Sequence, residues 1–142
     1  MTIARLLATR NGEIISVSRG TPVSEAVALL ADRRIGAVPV LDGDAIIGIM
    51  SERDVIYRLR SDGAAILDWP VESVMTSPVH TVEPDNTLIG ALAQMTRRRI
   101  RHLPVVEGGR MVGIVSIGDL VKARIDKIEG EAQAMREYIQ SA

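Results

Sequence analysis

Two short strings in this chain carry residue types that could do chemistry, and they carry the same ones. Gly48-Ile49-Met50-Ser51-Glu52-Arg53-Asp54 is matched by Gly113-Ile114-Val115-Ser116-Ile117-Gly118-Asp119. In each, an apolar run ends in a serine and an aspartate follows one helical turn later. If a strand passes into a helix at that serine, its hydroxyl sits beside the unpaired N–H groups of the helix N-terminus. That end carries a partial positive charge and suits a phosphate. The aspartate is an acceptor pair able to take hydrogen bonds from both hydroxyls of a ribose. The separation suits one nucleoside monophosphate unit. The same residues also have a plainer use, in which the serine caps the helix and the aspartate offsets its dipole.

A second concentration of chemistry is Arg97-Arg98-Arg99-Ile100-Arg101-His102. Arg97, Arg98 and Arg99 fall at the end of a helical stretch, where cations are favourable in any case. Arg101 and His102 fall where the chain passes from helix to strand, and an arginine there offers a rigid multi-donor fork. A nucleic-acid surface is excluded by a net charge of −1 and by the lack of a nearby aromatic residue to stack a base. There is no cysteine, and the two histidines, His80 and His102, lack a third ligand, so no metal site is expected. No Ser/His/Asp set, phosphate-binding Walker loop or dinucleotide glycine fingerprint is present. A binding protein without a catalytic cofactor is expected rather than an enzyme.

The elements that must position these residues come in two copies. Residues 21–59 align with residues 86–124 without a gap at an offset of 65. Arg33-Arg34-Ile35 falls on Arg98-Arg99-Ile100, Pro39-Val40 on Pro104-Val105, and Gly43 on Gly108. Repeats stack because one unit cannot bury its apolar face alone. Two copies imply a body with pseudo-two-fold symmetry and two equivalent clefts.

Each copy reads helix, strand, strand, helix. In the first, Thr21-Pro22 opens a helix as cap and first helical residue. Val23, Ala26, Val27 and Leu30 form its apolar stripe, and Gly36 ends it. Ala37–Leu41 and Ala45–Met50 are strands joined by a turn at Asp42-Gly43-Asp44. The second strand is a continuous apolar run, expected to be buried on both faces. An entry strand at Ile14–Val17 follows an Asn11-Gly12 turn signal. Val79–Val82 is its counterpart, and Val71–Met75 reads as one helical turn behind Pro70. The second copy has Leu88, Ala91, Leu92 and Met95 as its stripe. Its strands are Leu103–Val106 and Met111–Val115, joined at Gly108-Gly109. The last helix runs on: Val121, Ile125, Ile128, Ala132, Met135 and Ile139 step by four and three, a heptad seam interrupted by Gly130. Such a seam serves either to lay the helix against its own chain or to contact a second copy.

Composition sets the class. With 142 residues, 46% of them hydrophobic and 25% charged, the chain suits one globular body. Aromatic residues are sparse, so the core must be built from Val, Ile, Leu, Ala and Met. The opening residues lack the apolar core of a signal peptide, and no apolar run approaches the roughly 20 residues of a membrane span. A cytoplasmic protein with no membrane partner is expected.

The repeat resembles a CBS domain, and the tandem pair resembles a Bateman module of the stand-alone bacterial type. The resemblance rests on the doubled Gly-apolar-apolar-Ser-x-x-Asp string, the apolar-Pro-Val strands, the glycine turns and the Met75-Thr76 linker. It covers residues 10–127. It implies an α+β fold of two repeats, here 8–66 and 67–127, with residues 128–142 as a C-terminal helical extension. It implies a regulatory module that binds adenine nucleotides, AMP or ADP first, with NAD(H) or ATP as larger alternatives, and signals to an unknown protein target. It also implies a homodimer.

By that resemblance, Ser51, Arg53, Asp54, Thr76, Arg101, His102, Ser116 and Asp119 are the nucleotide-binding residues. Basic residues at the helix-to-strand junction face the phosphates, which assigns Arg101 and His102 to a second cleft with Ser116 and Asp119. Gly36 and Ala37 hold those places in the first repeat, leaving Arg53 to grip phosphate in the first cleft. Adenine is expected against Ile15, Val38, Pro78, Ile100 and Leu103. The alternative is an interaction scaffold with vestigial nucleotide sites.

Overall fold

Each repeat wraps a helix over a small sheet, and the order of elements is that of the sequence reading with one addition at the front. The computed structural model describes residues 1–10 and 12–141, so Asn11 of the expected turn lies outside the described residues. The elements are α1 (Ile3–Ala8), β1 (Val17–Ser18), α2 (Val23–Arg33), β2 (Ala37–Asp42), β3 (Ala45–Ser51) and α3 (Glu52–Asp62). Short 3₁₀ segments at Gly63–Asp68 and Val71–Ser73 lead to α4 (Leu88–Arg98), β4 (His102–Glu107), β5 (Arg110–Ser116) and α5 (Ile117–Ser141). The last helix, α5, runs on without a break from Ile117 to Ser141.

The helices form where the apolar stripes predict, but their ends differ. Pro22 is the N-cap of α2 rather than its first residue, and no side chain caps it; in α4 the Thr87 hydroxyl accepts the Gly90 N–H at 3.0 Å. Gly36 does not end α2. The helix stops at Arg33, and Arg34 turns left-handed at φ 53°, as Arg99 does at φ 54° after α4. A non-glycine residue there costs about 1–2 kcal/mol. The next residue offsets this by closing the helix: Ile35 N–H donates to the Leu30 carbonyl, and Ile100 N–H to that of Met95.

In the first sheet β1 runs parallel to β2, and β2 pairs antiparallel with β3. In the second, β4 pairs with β5, and the expected strand at Val79–Val82 shrinks to a single parallel bridge between Val82 and Val105. The entry strand of the first repeat shrinks likewise, to Val17–Ser18. Strand β3 is not buried on both faces: Gly48 and Met50 are buried, while Ile46, Ile47 and Ile49 are half-exposed. It is an edge strand whose far side borders a cleft.

Two separate cores result, and each is completed by a segment that precedes the other repeat. Val23, Ala26, Leu30, Val38, Val40 and Met50 of the first repeat enclose Ile66, Val71 and Val74 from the linker. Leu88, Ala91, Met95, Leu103, Val105, Val115 and Leu120 of the second enclose Ile3 and Leu6 from α1. The backbone fixes the exchange, since Ile3 N–H donates to the Asn86 carbonyl at 2.9 Å and Val71 N–H to that of Thr21 at 2.8 Å. Residues 1–10 therefore belong with the second repeat, not with the first as an entry segment. The glycines of the two strings are where these segments cross the strands. A side chain at Gly48 would meet Met75, and one at Gly113 would lie 2.9 Å from Leu7.

Candidate functional site

The two Ser-x-x-Asp strings fold into identical local structures. Ser51 ends β3 and caps α3: its hydroxyl accepts the Asp54 N–H at 3.2 Å, and the Asp54 carboxylate accepts the Ser51 N–H at 2.9 Å. At Ser116 and Asp119 the same pair of bonds measures 3.1 and 2.8 Å. This is a capping box with aspartate in place of the usual glutamate. The plainer use of the string is thus real, and each aspartate still has lone pairs to spare.

What each aspartate does with them separates the clefts. The free oxygen of Asp54 accepts the Thr76 hydroxyl at 2.9 Å. Thr76 is held there by a two-way backbone pairing with Ile49. At Asp119 the oxygen that already accepts the Ser116 N–H also meets the guanidinium of Arg10, at 2.7 Å, and the other amino group of Arg10 donates to the Ile114 carbonyl at 2.8 Å. Burial pushes the Asp119 carboxyl up, but the Ser116 backbone N–H and hydroxyl together with Arg10 outweigh it and hold the group below its ordinary value.

A cavity of about 450 Å³ opens at the start of α3. Ser51, Arg53 and Asp54 line it from the first repeat, Thr76 and Pro78 from the linker, and Ile100, Arg101 and His102 from the second repeat. The grouping of Arg101 and His102 with Ser116 and Asp119 is therefore corrected. Strands β3 and β5 pack together, so both helix-to-strand junctions, Gly36-Ala37 and Ile100–His102, face the same cleft. The His102 ring occupies the space beside Gly36, 3.2 Å from where a side chain there would begin. Burial lowers its pKa, and Arg101 adds to this; Glu52 and Asp119 act in the opposite direction. A cavity of about 640 Å³ beside Asp119 is lined by Thr9, Arg10, Lys122 and Asp126, without Ser116.

Three of the expected adenine-lining residues lie elsewhere. Val38 and Leu103 are fully buried, since the second residue of β2 and of β4 packs into the core of its own repeat. Ile15 packs half-buried against the first core. Pro78 and Ile100 do border the cavity. Sequence reasoning missed Ile56, Tyr57 and Arg99, which line it as well. The helical period carried a signal for one of them: Tyr57 lies three residues beyond Asp54, on the same face of α3. Among the described residues, no three His, Cys, Asp or Glu side chains gather to hold a metal ion. No helix among them is long and apolar enough to cross a membrane.

Known proteins match this arrangement throughout. The CBS domain family matches residues 6–61 and again residues 71–126. The mitochondrial CBS domain-containing protein CBSX3 of Arabidopsis thaliana is 34% identical over 123 residues, covering 83% of this chain; the chain spans 60% of that relative's length. The crystal structure of the CBS-domain protein ATU1752 from Agrobacterium tumefaciens superposes with a TM-score of 0.83 at 37% identity, over 87% of this chain and 99% of that one. The structure of CBSX2 in complex with AMP superposes with a TM-score of 0.75 at 25% identity, over 88% and 96%. The chain belongs to the CBS-domain family and carries two CBS domains in tandem.

Proposed function

We propose that this chain is a regulatory sensor, not an enzyme, that binds one adenine nucleotide in the cavity at the start of α3. The observation that carries the reading is the convergence of the capped helix N-terminus at Ser51 with Arg53, Arg101 and His102 around a cavity that also holds Asp54. AMP or ADP fits this best, with NAD(H) or ATP as larger alternatives. The phosphate sits at the positive end of α3 and takes the basic side chains, since the Ser51, Glu52 and Asp54 N–H groups are already bonded within the chain. The ribose hydroxyls replace the Thr76 hydroxyl on Asp54. Ile56, Tyr57, Pro78 and Ile100 offer an apolar wall to the base. The likeness to CBSX2, whose structure contains AMP, supports the class of ligand. Ser116 and Asp119 repeat the motif, but the cavity beside Asp119 lacks Ser116 and Arg10 is paired with the aspartate, so one ligand per chain is expected.

The mechanism is linkage. A ligand that ties the start of α3 to the Ile100–His102 junction binds one relation of the two repeats better and shifts its population. A homodimer presents that change to a protein target. The rival reading is an interaction scaffold with vestigial clefts, favoured by the exposed apolar seam of α5.

Thermal unfolding with AMP, ADP, ATP, NADH and S-adenosylmethionine separates the two. A ligand at about a hundred times its dissociation constant adds about 2.7 kcal/mol, a shift of several degrees for a chain of this size. The sensor reading expects a shift that Asp54→Ala removes. No shift with any of the five moves the conclusion to the scaffold.

A further inference from the structure

Only the start of α5 touches the rest of the chain. Leu120 is fully buried and Ala123 and Arg124 are half-buried, but every residue from Ile125 to Ser141 is exposed. That is a projection of about 25 Å, and an isolated helix of this length is marginal in water. Its apolar residues are ordered along one stripe. Val121, Ile125, Ile128, Met135 and Ile139 are 43, 49, 49, 59 and 65% exposed, and with Ala132 they step by four and three as one exposed stripe. The expectation that the seam lies against its own chain is thereby overturned.

We propose that a second copy of this chain covers the seam, parallel and in register, as a two-stranded coiled coil. This deepens the homodimer reading and rests on it, and it is independent of the nucleotide. The charges beside the seam select both occupant and orientation. With Ile125, Ala132 and Ile139 at heptad position a and Val121, Ile128 and Met135 at d, position e holds Lys122, Glu129 and Arg136. Position g then holds Arg124, Glu131 and Tyr138. In a parallel pair each g residue meets the e residue of the partner's next heptad. Arg124 then faces the partner's Glu129, and Glu131 the partner's Arg136, and the two-fold axis repeats both pairs. The antiparallel pairing with full overlap instead sets Glu129 against the partner's Glu129, Glu131 against the partner's Glu131, and Lys122 beside the partner's Arg136. Among the described residues, Arg124, Glu129 and Glu131 make no ion pair within the chain. Arg136 holds only the Gln133 side chain. Gly130 falls at the outward position f, with nothing within 4 Å of where its side chain would be, so it leaves no gap in the seam.

The chain has no cysteine, so a single introduced one reports the geometry directly. In a parallel pair Met135 faces the partner's Met135; in the antiparallel pair the two are about 15 Å apart along the axis. Sedimentation velocity gives the mass, and mild oxidation of Met135→Cys and of the outward-facing control Glu137→Cys gives the orientation. The proposal expects a wild-type dimer and a disulfide-linked dimer from Met135→Cys but not from Glu137→Cys. It expects Glu129→Arg to weaken the dimer by about tenfold and Arg124→Glu/Glu129→Arg to restore it. Ile128→Lys, at an exposed site, is expected to give a folded monomer. A dimer that leaves Met135→Cys unlinked, or that survives Ile128→Lys intact, overturns this arrangement while keeping the homodimer. A monomer at every concentration overturns both.

Discussion

His102 stands where burial and charge oppose each other. Burial lowers its pKa below the ordinary 6.5, so the imidazole of the free chain is neutral at pH 7. A phosphate beside it favours the charged form, and binding then takes up a proton. Affinity for AMP is therefore expected to rise by a few-fold as pH falls from about 8 to 6.5, with a ceiling of about tenfold per pH unit. Calorimetry across that range checks this, and His102→Gln should flatten the slope; a slope that survives the substitution contradicts the assigned role. Stability of the ligand-free chain has the opposite sign. The unfolded chain protonates first, so His102 contributes above about pH 6.5, and the contribution is lost as pH falls through its lowered folded value. At this scale the sequence was readable where chemistry is local. Ser51 and Asp54 cap a helix three residues apart, and their types alone announce it. Val38 and Leu103 were misplaced because which face of a strand is lined by core and which by cleft depends on what packs against it, and nothing within five residues says so.

The two clefts diverge through one segment, residues 1–10, which holds α1 and Arg10. Its sequence reads as an unremarkable entry to the first repeat, but its partner is the backbone at Pro84 and Asn86, far along the chain. Such a pairing leaves no periodicity to find. The same holds for Arg34 and Arg99, whose left-handed backbone the sequence gives no reason to expect without a glycine. The stripes of α2 and α4, by contrast, were legible in full because helical spacing alone fixes them. Removing the Arg10 contact should make the clefts alike. Arg10→Ala is expected to free Asp119, let its carboxyl rise toward the ordinary value and bring the binding stoichiometry from one nucleotide per chain to two. Both side chains of the Arg10–Asp119 pair are about two-thirds buried and Arg10 also bonds the Ile114 carbonyl, so the substitution is expected to cost about 1–3 kcal/mol of stability. A stoichiometry that stays at one would show that Arg10 is not what separates the clefts. On α5, Gly130→Ala should stabilise the helix by about 1 kcal/mol per chain, seen as higher helicity by circular dichroism and a higher Tm. An unchanged spectrum together with an unchanged Tm would mean that the segment is not helical in solution.

For the whole molecule, the proposed function rests on symmetry and its breaking. The duplication was plain from the alignment of residues 21–59 with 86–124, and so was the pair of clefts. The sequence could not show that the junctions of both repeats open onto one cleft, which gathers Ser51, Asp54, Arg101 and His102 and leaves Ser116 and Asp119 with Arg10. A ligand in that cleft bridges the repeats, and α5 extends directly from β5, whose packing against β3 brings those junctions together. The measurement that tests this most directly is titration calorimetry with AMP on the wild type, Asp54→Ala and Asp119→Ala. Each protein's ligand-free Tm is measured alongside, because losing either capping carboxylate costs about 0.5–2 kcal/mol on its own. The account predicts one site per wild-type chain, lost in Asp54→Ala and retained in Asp119→Ala. Binding that survives Asp54→Ala, or that disappears in a folded Asp119→Ala, would contradict it.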